Sequence, residues 1–84
     1  GAAMAVELTV APEAEQDIAE AYGWYERQRF GLGEEFLSRV DACIERVIRN
    51  PDGPKIVHEN YRRILVRQFP YAVFYEHATD SVTV

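Results

Sequence analysis

The sequence predicts an α+β fold, with a helical hairpin packed on a small, mainly antiparallel sheet in the order β-α-α-β-β-β and a fifth strand at the end. Three observations predict it. The hydrophobic period is near 3.6 residues through the middle of the chain and changes to 2 after Pro54. Gly31-Leu32-Gly33 interrupts two helical patterns for only a few residues, so the helices must return antiparallel. The links between the later strands are short, which implies hairpins and a meander.

Val6 to Val10 (VELTV) alternates apolar and polar residues and reads as a half-buried strand. Ala11-Pro12-Glu13 then opens a helix. Proline at the first helical position forfeits no hydrogen bond, and Glu13 and Glu15 complement the positive end of the dipole. Ala11 is a poor N-cap, so proline and charge carry this start. Ile18, Ala21, Tyr22 and Tyr25 form one apolar stripe, with Asp17, Glu20 and Arg27 largely elsewhere.

The second helix is the clearest element. Phe36, Leu37, Val40, Ile44, Val47 and Ile48 hold the helical period for more than three turns, and Asn50-Pro51 ends it. Lys55 to His58, Tyr61 to Arg67, Tyr71 to His77 and Ser81 to Val84 read as strands. Glu59-Asn60, Gln68-Phe69-Pro70 and Ala78-Thr79-Asp80 are the turns between them, with Asp80 a turn residue.

Eighty-four residues make one domain, expected over residues 5–84, with Gly1-Ala2-Ala3-Met4 read as a cloning remnant and start. A composition 48% hydrophobic and 12% aromatic is enough for one core and too apolar for a disordered tail. The stability margin at this length is thin, which favours an obligate partner. Cys43 is the only cysteine, so no intrachain disulfide and no thiolate cluster can form. The lone thiol suits a reducing compartment, and the cytoplasm is the expected location. No apolar run approaches the roughly 20 residues that cross a bilayer, and no signal-peptide pattern opens the chain. With 14 acidic against 9 basic residues the net charge is −5, which argues against a stand-alone nucleic-acid binder.

Among candidate functional side chains, Arg62 and Arg63 are adjacent in a strand and point to opposite faces. Alternation lets Arg63 share a patch with Arg67. Such a basic pair could meet a partner's carboxylates or simply line a solvated edge. Tyr61, Tyr71 and Tyr75 could stack on a partner or on bases, but strand tyrosines are more often half-buried packing residues. His58 and His77 have no partner at metal-ligand spacing and read as solvated. Cys43, beside the stripe of the second helix, reads as core. Glu13, Asp17 and Glu20 fit a solvated helix face better than paired catalytic carboxylates. No metal and no cofactor is expected.

Three blocks carry a family resemblance. They are Pro12-Glu13-Ala14-Glu15-Gln16-Asp17-Ile18 running on to Trp24-Tyr25; Gly31-Leu32-Gly33 with Phe36-Leu37, Val40-Asp41, Ile44 and Asn50-Pro51; and Arg62 to Val66 followed by Arg67-Gln68-Phe69-Pro70-Tyr71-Ala72-Val73-Phe74-Tyr75. In this order and spacing they resemble the ParE branch of the ParE/RelE toxin superfamily, often labelled plasmid-stabilisation proteins, over essentially all of Val6 to Val84. The resemblance implies a toxin neutralised by a cognate antitoxin whose extended C-terminal segment wraps it. ParE-branch members are associated with inhibition of DNA gyrase, whereas RelE-branch members cut mRNA on the ribosome.

Residue by residue, the resemblance gives Arg67 the position at which RelE-branch enzymes place an active-site arginine before their turn tyrosine. There it would stabilise the charge developing on a phosphate. The basic residue that usually follows that tyrosine is replaced by Ala72. The leading expectation is therefore a non-enzymatic toxin that binds antitoxin and gyrase, meeting nucleic acid only through the antitoxin. The alternatives are a ribosome-dependent endoribonuclease using Arg67, and a degenerate toxin with a shortened C-terminus that only binds antitoxin. Arg63, Arg67, Tyr71 and Tyr75 are the candidate antitoxin- or target-binding residues. The last strand is expected to present an open edge that invites a partner strand or a second copy of the chain.

Overall fold

The computed structural model describes residues 7–78 and 81–84, with Glu7 described in its backbone alone. The expected strand residue Val6, the start at Gly1 to Met4, and Thr79 and Asp80 of the last turn lie outside them. The elements are β1 (Glu7–Thr9), α1 (Pro12–Gln28), α2 (Leu32–Arg49), β2 (Ile56–His58), β3 (Tyr61–Leu65), β4 (Ala72–His77) and β5 (Ser81–Thr83). Two helices thus lie on one five-stranded sheet of order β1-β5-β4-β3-β2, the α+β layer expected.

The meander β2 to β5 is antiparallel throughout, and β1 joins β5 in parallel, with Leu8 opposite Val82. This corrects the expectation of an open last strand. β5 is an interior strand, flanked on both sides, and the sheet edges are β1 and β2. Hydrogen bonds from Val84 N–H to Thr9 O (2.8 Å) and from Ala11 N–H to Val84 O (2.9 Å) tie β5 to the entry of α1.

α2 is the central element. Phe36, Val40, Cys43 and Val47 recur at helical spacing and are buried against Ile64, Val66, Val73, Tyr75 and Val82 of the sheet. Cys43 rather than Ile44 takes the innermost position of that turn. α1 lies outside it and buries none of its residues fully; Ile18, Ala21 and Tyr25 pack on the core from above. Tyr25, Phe36, Phe69 and Tyr71 form an aromatic cluster with ring centres 4.9–5.4 Å apart, in mostly edge-to-face pairs. The cluster pins the β3–β4 turn beneath both helices.

The hairpin bend is tighter than the glycine pattern implies. Only Gly31 lies in it, at φ +88°, while Leu32 and Gly33 already belong to α2. Gly33 serves the helix crossing instead: a Cβ there would sit 2.8 Å from the Tyr22 ring. No side chain of its own caps α2; Glu26 of α1 does so, accepting the N–H groups of Gly31 (3.0 Å) and Gly33 (2.9 Å).

Candidate functional site

The last turn of α2 carries Arg46 and Arg49, cations that complement the negative end of the helix dipole. Burial of the Phe36-to-Val47 stripe sets this turn over the end of β3, where the Cys43 thiol lies 3.9 Å from Leu65 O. Burial pushes the pKa of that thiol up, and the nearby charge of Arg46 offsets this only in part. Asn50-Pro51 then stops the helix, and the chain turns back across the sheet to β2.

That loop is clamped from below. Tyr75 Oη donates to Pro51 O at 2.6 Å, and Arg62 donates to Pro54 O at 2.7 Å and Asp52 O at 3.2 Å. The Asp52 carboxylate meets Arg62 at 3.3 Å and His77 Nδ1 at 2.8 Å. His77 is therefore a half-buried partner of Asp52 and not the solvated residue expected, because β4 carries it to the inner face beneath the loop. Among the described residues, no group of three or more His, Cys, Asp or Glu side chains is placed to hold a metal ion.

Between the end of α2, the clamped loop and β3 lies a groove of about 670 Å³, lined by Arg46, Arg49, Asn50, Gly53, Pro54, Arg63, Ile64 and Leu65. All three arginines are exposed, and none forms an ion pair among the described residues. The β2–β3 register runs to Ile56 opposite Arg62, a pair whose ladder bonds are made by the residues flanking it, so β3 has no strand beside it only beyond Arg63. Val66 N–H donates to Tyr71 O across the β3–β4 ladder, and alternation then directs the backbone groups of Arg63 and Leu65 away from β4, toward the side on which β2 pairs. Leu65 O facing the Cys43 thiol fits that phase.

The four candidate residues do not share one patch. Arg63 enters the groove. Arg67 is exposed in the β3–β4 turn and is not among the groove's lining residues. Tyr71 is half-buried, its ring 5.0 Å from Phe36, and it also lines a smaller groove of about 250 Å³ against Ala11, which precedes α1, and Ala14 and Ile18 within it. Burial, followed by the charge of Asp17, raises the pKa of its phenol. Tyr75 is fully buried in the core, which removes it as a contact residue and leaves the packing reading. Burial raises its pKa, against a smaller opposing effect of Arg62. Arg62 and Arg63 do point to opposite faces: Arg62 is turned in toward Asp52, and Arg63 is exposed.

Arg46 and Arg49 are the site residues that sequence reasoning missed. Their spacing of three places them on one side of the last helical turn, but which strand that turn meets is not written locally.

A protein-family model described as ParE toxin of type II toxin-antitoxin system, parDE, matches residues 8–84 of the chain. No curated protein matches it.

Proposed function

The chain belongs to the ParE toxin family of type II toxin–antitoxin systems, and from that premise we propose that it acts by binding: a cognate antitoxin holds it inactive, and when free it inhibits DNA gyrase in the cytoplasm. The observation that carries this reading is the family match itself, which runs through both helices and all five strands. No helix among the described residues is long and apolar enough to cross a membrane.

The surface chemistry supports binding over catalysis. Phosphodiester cleavage needs a cation at the phosphate and groups to take and give protons beside it. The residue after the turn tyrosine is Ala72, and the phenol of Tyr75 is spent on Pro51 O in the core. Arg67 is left as the one candidate of the nuclease reading.

Induced expression without antitoxin tests the proposal, scored for filamentation, gyrase supercoiling and mRNA cleavage in translating extracts. Inhibited supercoiling with intact mRNA is the expected result. Ribosome-dependent cuts that vanish in Arg67→Ala would overturn it in favour of the endoribonuclease. Inactivity in both assays, with antitoxin binding retained, would leave a scaffold that only binds antitoxin.

A further inference from the structure

We infer that the outer face of the sheet binds a second copy of this chain, in a two-fold dimer whose axis runs along the strands between β3 and β4. Both helices lie on the opposite face, over Ile64, Val73, Tyr75 and Val82, and no element among the described residues covers this one. Alternation places Tyr61, Arg63 and Leu65 of β3 outward, with Ala72, Phe74 and Glu76 of β4 beside them. Leu65 is 60% exposed and Phe74 49%, although β4 is an interior strand. Large apolar side chains clustered in the middle of a sheet face mark a surface that another protein covers.

The strand register identifies the partner. Tyr61 stands opposite Glu76, Arg63 opposite Phe74, and Leu65 opposite Ala72. Each pair joins unlike and complementary members: a phenol with a carboxylate, a guanidinium with a ring, a long aliphatic chain with a methyl group. A two-fold axis between the strands lays β3 of one copy over β4 of the other. Every residue then meets the copy of its own cross-strand neighbour, and each contact occurs twice, as an isologous interface requires. Arg63 lies over the Phe74 ring at the centre, where the π-face attracts a cation. Leu65 fills the space left by Ala72, and the Tyr61 hydroxyl donates to Glu76. That central row is also the least displaced by the angle between two packed sheets. An axis running across the strands through the same row would instead set Arg63 against Arg63.

Charge favours the same face. The chain carries −5 overall, but nine of its 14 acidic residues lie in α1 and α2, on the other side of the sheet. The outward positions of β3 and β4 hold one cation and one carboxylate, Arg63 and Glu76, so two copies meet there with little net repulsion. Arg63 is exposed and forms no ion pair among the described residues. Strands spaced about 4.8 Å apart make a face roughly 20 Å wide, at the small end of stable interfaces, so the dimer should form in the micromolar range. The contact is independent of the toxin reading above.

Sedimentation velocity of the purified chain, from about 1 to about 500 μM, tests the inference and should show monomer giving way to dimer. Phe74→Arg sets arginine against arginine at both central contacts and should weaken the dimer about tenfold or more. The exchange Arg63→Phe/Phe74→Arg keeps a cation over a ring and should restore association to within about threefold of the parent. Phe30→Ser, at the far more exposed bend between the helices, should leave it unchanged. A short bifunctional thiol reagent should join a Leu65→Cys chain to an Ala72→Cys chain faster than it joins two Leu65→Cys chains, Cys43 being buried. Circular dichroism of each variant separates lost association from lost fold.

A chain that stays monomeric at the highest concentration would overturn the inference. So would a dimer that Phe74→Arg leaves intact, a dimer that Phe30→Ser dissociates, or a folded double exchange that fails to associate. Cross-linking that prefers two Leu65→Cys chains would overturn the proposed axis. A monomer whose outer face is covered only when an antitoxin is added would assign that face to a different partner and overturn the inference as well.

Discussion

The carboxylate of Glu26 accepts the N–H of Gly33 at 2.9 Å and the N–H of Gly31 at 3.0 Å, so α1 caps the helix that follows it. Gly31 at the N-cap position has no side chain to do so, and without Glu26 the half-buried bend would hold two unpaired donors. Glu26→Ala should therefore cost about 1–2 kcal/mol and lower the melting temperature by roughly 5–10 °C. Glu26→Gln, which keeps one acceptor oxygen, should lose about half as much. Thermal melts by circular dichroism measure both, and equal losses in the two variants would contradict the capping account.

Two helical glycines should answer oppositely to alanine. At Gly33 a Cβ would meet the Tyr22 ring at 2.8 Å and Glu26 Oε1 at 2.9 Å, so Gly33→Ala should destabilise by about 1–3 kcal/mol. At Gly23 the nearest atom is the mobile tip of Arg27 at 3.3 Å, and Gly23→Ala should stabilise by up to about 1 kcal/mol through helix propensity. Adding Tyr22→Leu should recover part of the Gly33→Ala loss. Urea midpoints of the four proteins form the check.

Tyr75 holds the α2–β2 loop through its hydroxyl. Tyr75→Phe keeps the ring in the core but leaves Pro51 O without its 2.6 Å donor, at a cost of about 1–2 kcal/mol. Binding of an isolated antitoxin to the folded variant should change no more than the loosened loop allows. Arg63→Ala should do the reverse, leaving stability within about 0.5 kcal/mol and weakening a partner that uses the groove.

Cys43 makes stability sensitive to alkali. Burial raises its pKa in the folded chain, so the native state holds the thiol proton more tightly than the unfolded state does. The contribution is complete below the ordinary thiol value of about 8.5 and is lost as pH rises through the folded value. Tyr71 and Tyr75, also raised by burial, act in the same direction at higher pH. Urea midpoints should fall from about pH 8 to about pH 10, and less steeply in Cys43→Ala. A thiol reagent should label the native chain far more slowly than the unfolded one.

The helices were legible because their signals are local. Proline at the first helical position, the Phe36-to-Val47 stripe and the Asn50-Pro51 stop each act within a turn or two, and α1 and α2 begin and end within a few residues of where those signals fall. Strand boundaries followed the change of period, although Val66 and Arg67 leave β3 to form the turn. Arg63 was found by alternation, but Arg46, Arg49 and the meeting of Asp52 with His77 were not. They depend on the meeting of residues 14 to 25 positions apart in the chain, at one helix end and one strand.

By itself, the sequence determined the element types, the hairpin of helices, the antiparallel meander and the family, since these rest on periodicity, turn chemistry and the order of motifs. Only the tertiary structure decided that β1 pairs in parallel with β5, placing the last strand inside the sheet and the sheet edges at β1 and β2. It also decided that Tyr75 belongs to the core and that three arginines share a groove. The physical reason is common to all of these. Edge and interior, buried and exposed, are settled by which distant segments pack together, and the free energy of that packing belongs to the assembled layers rather than to any stretch of chain.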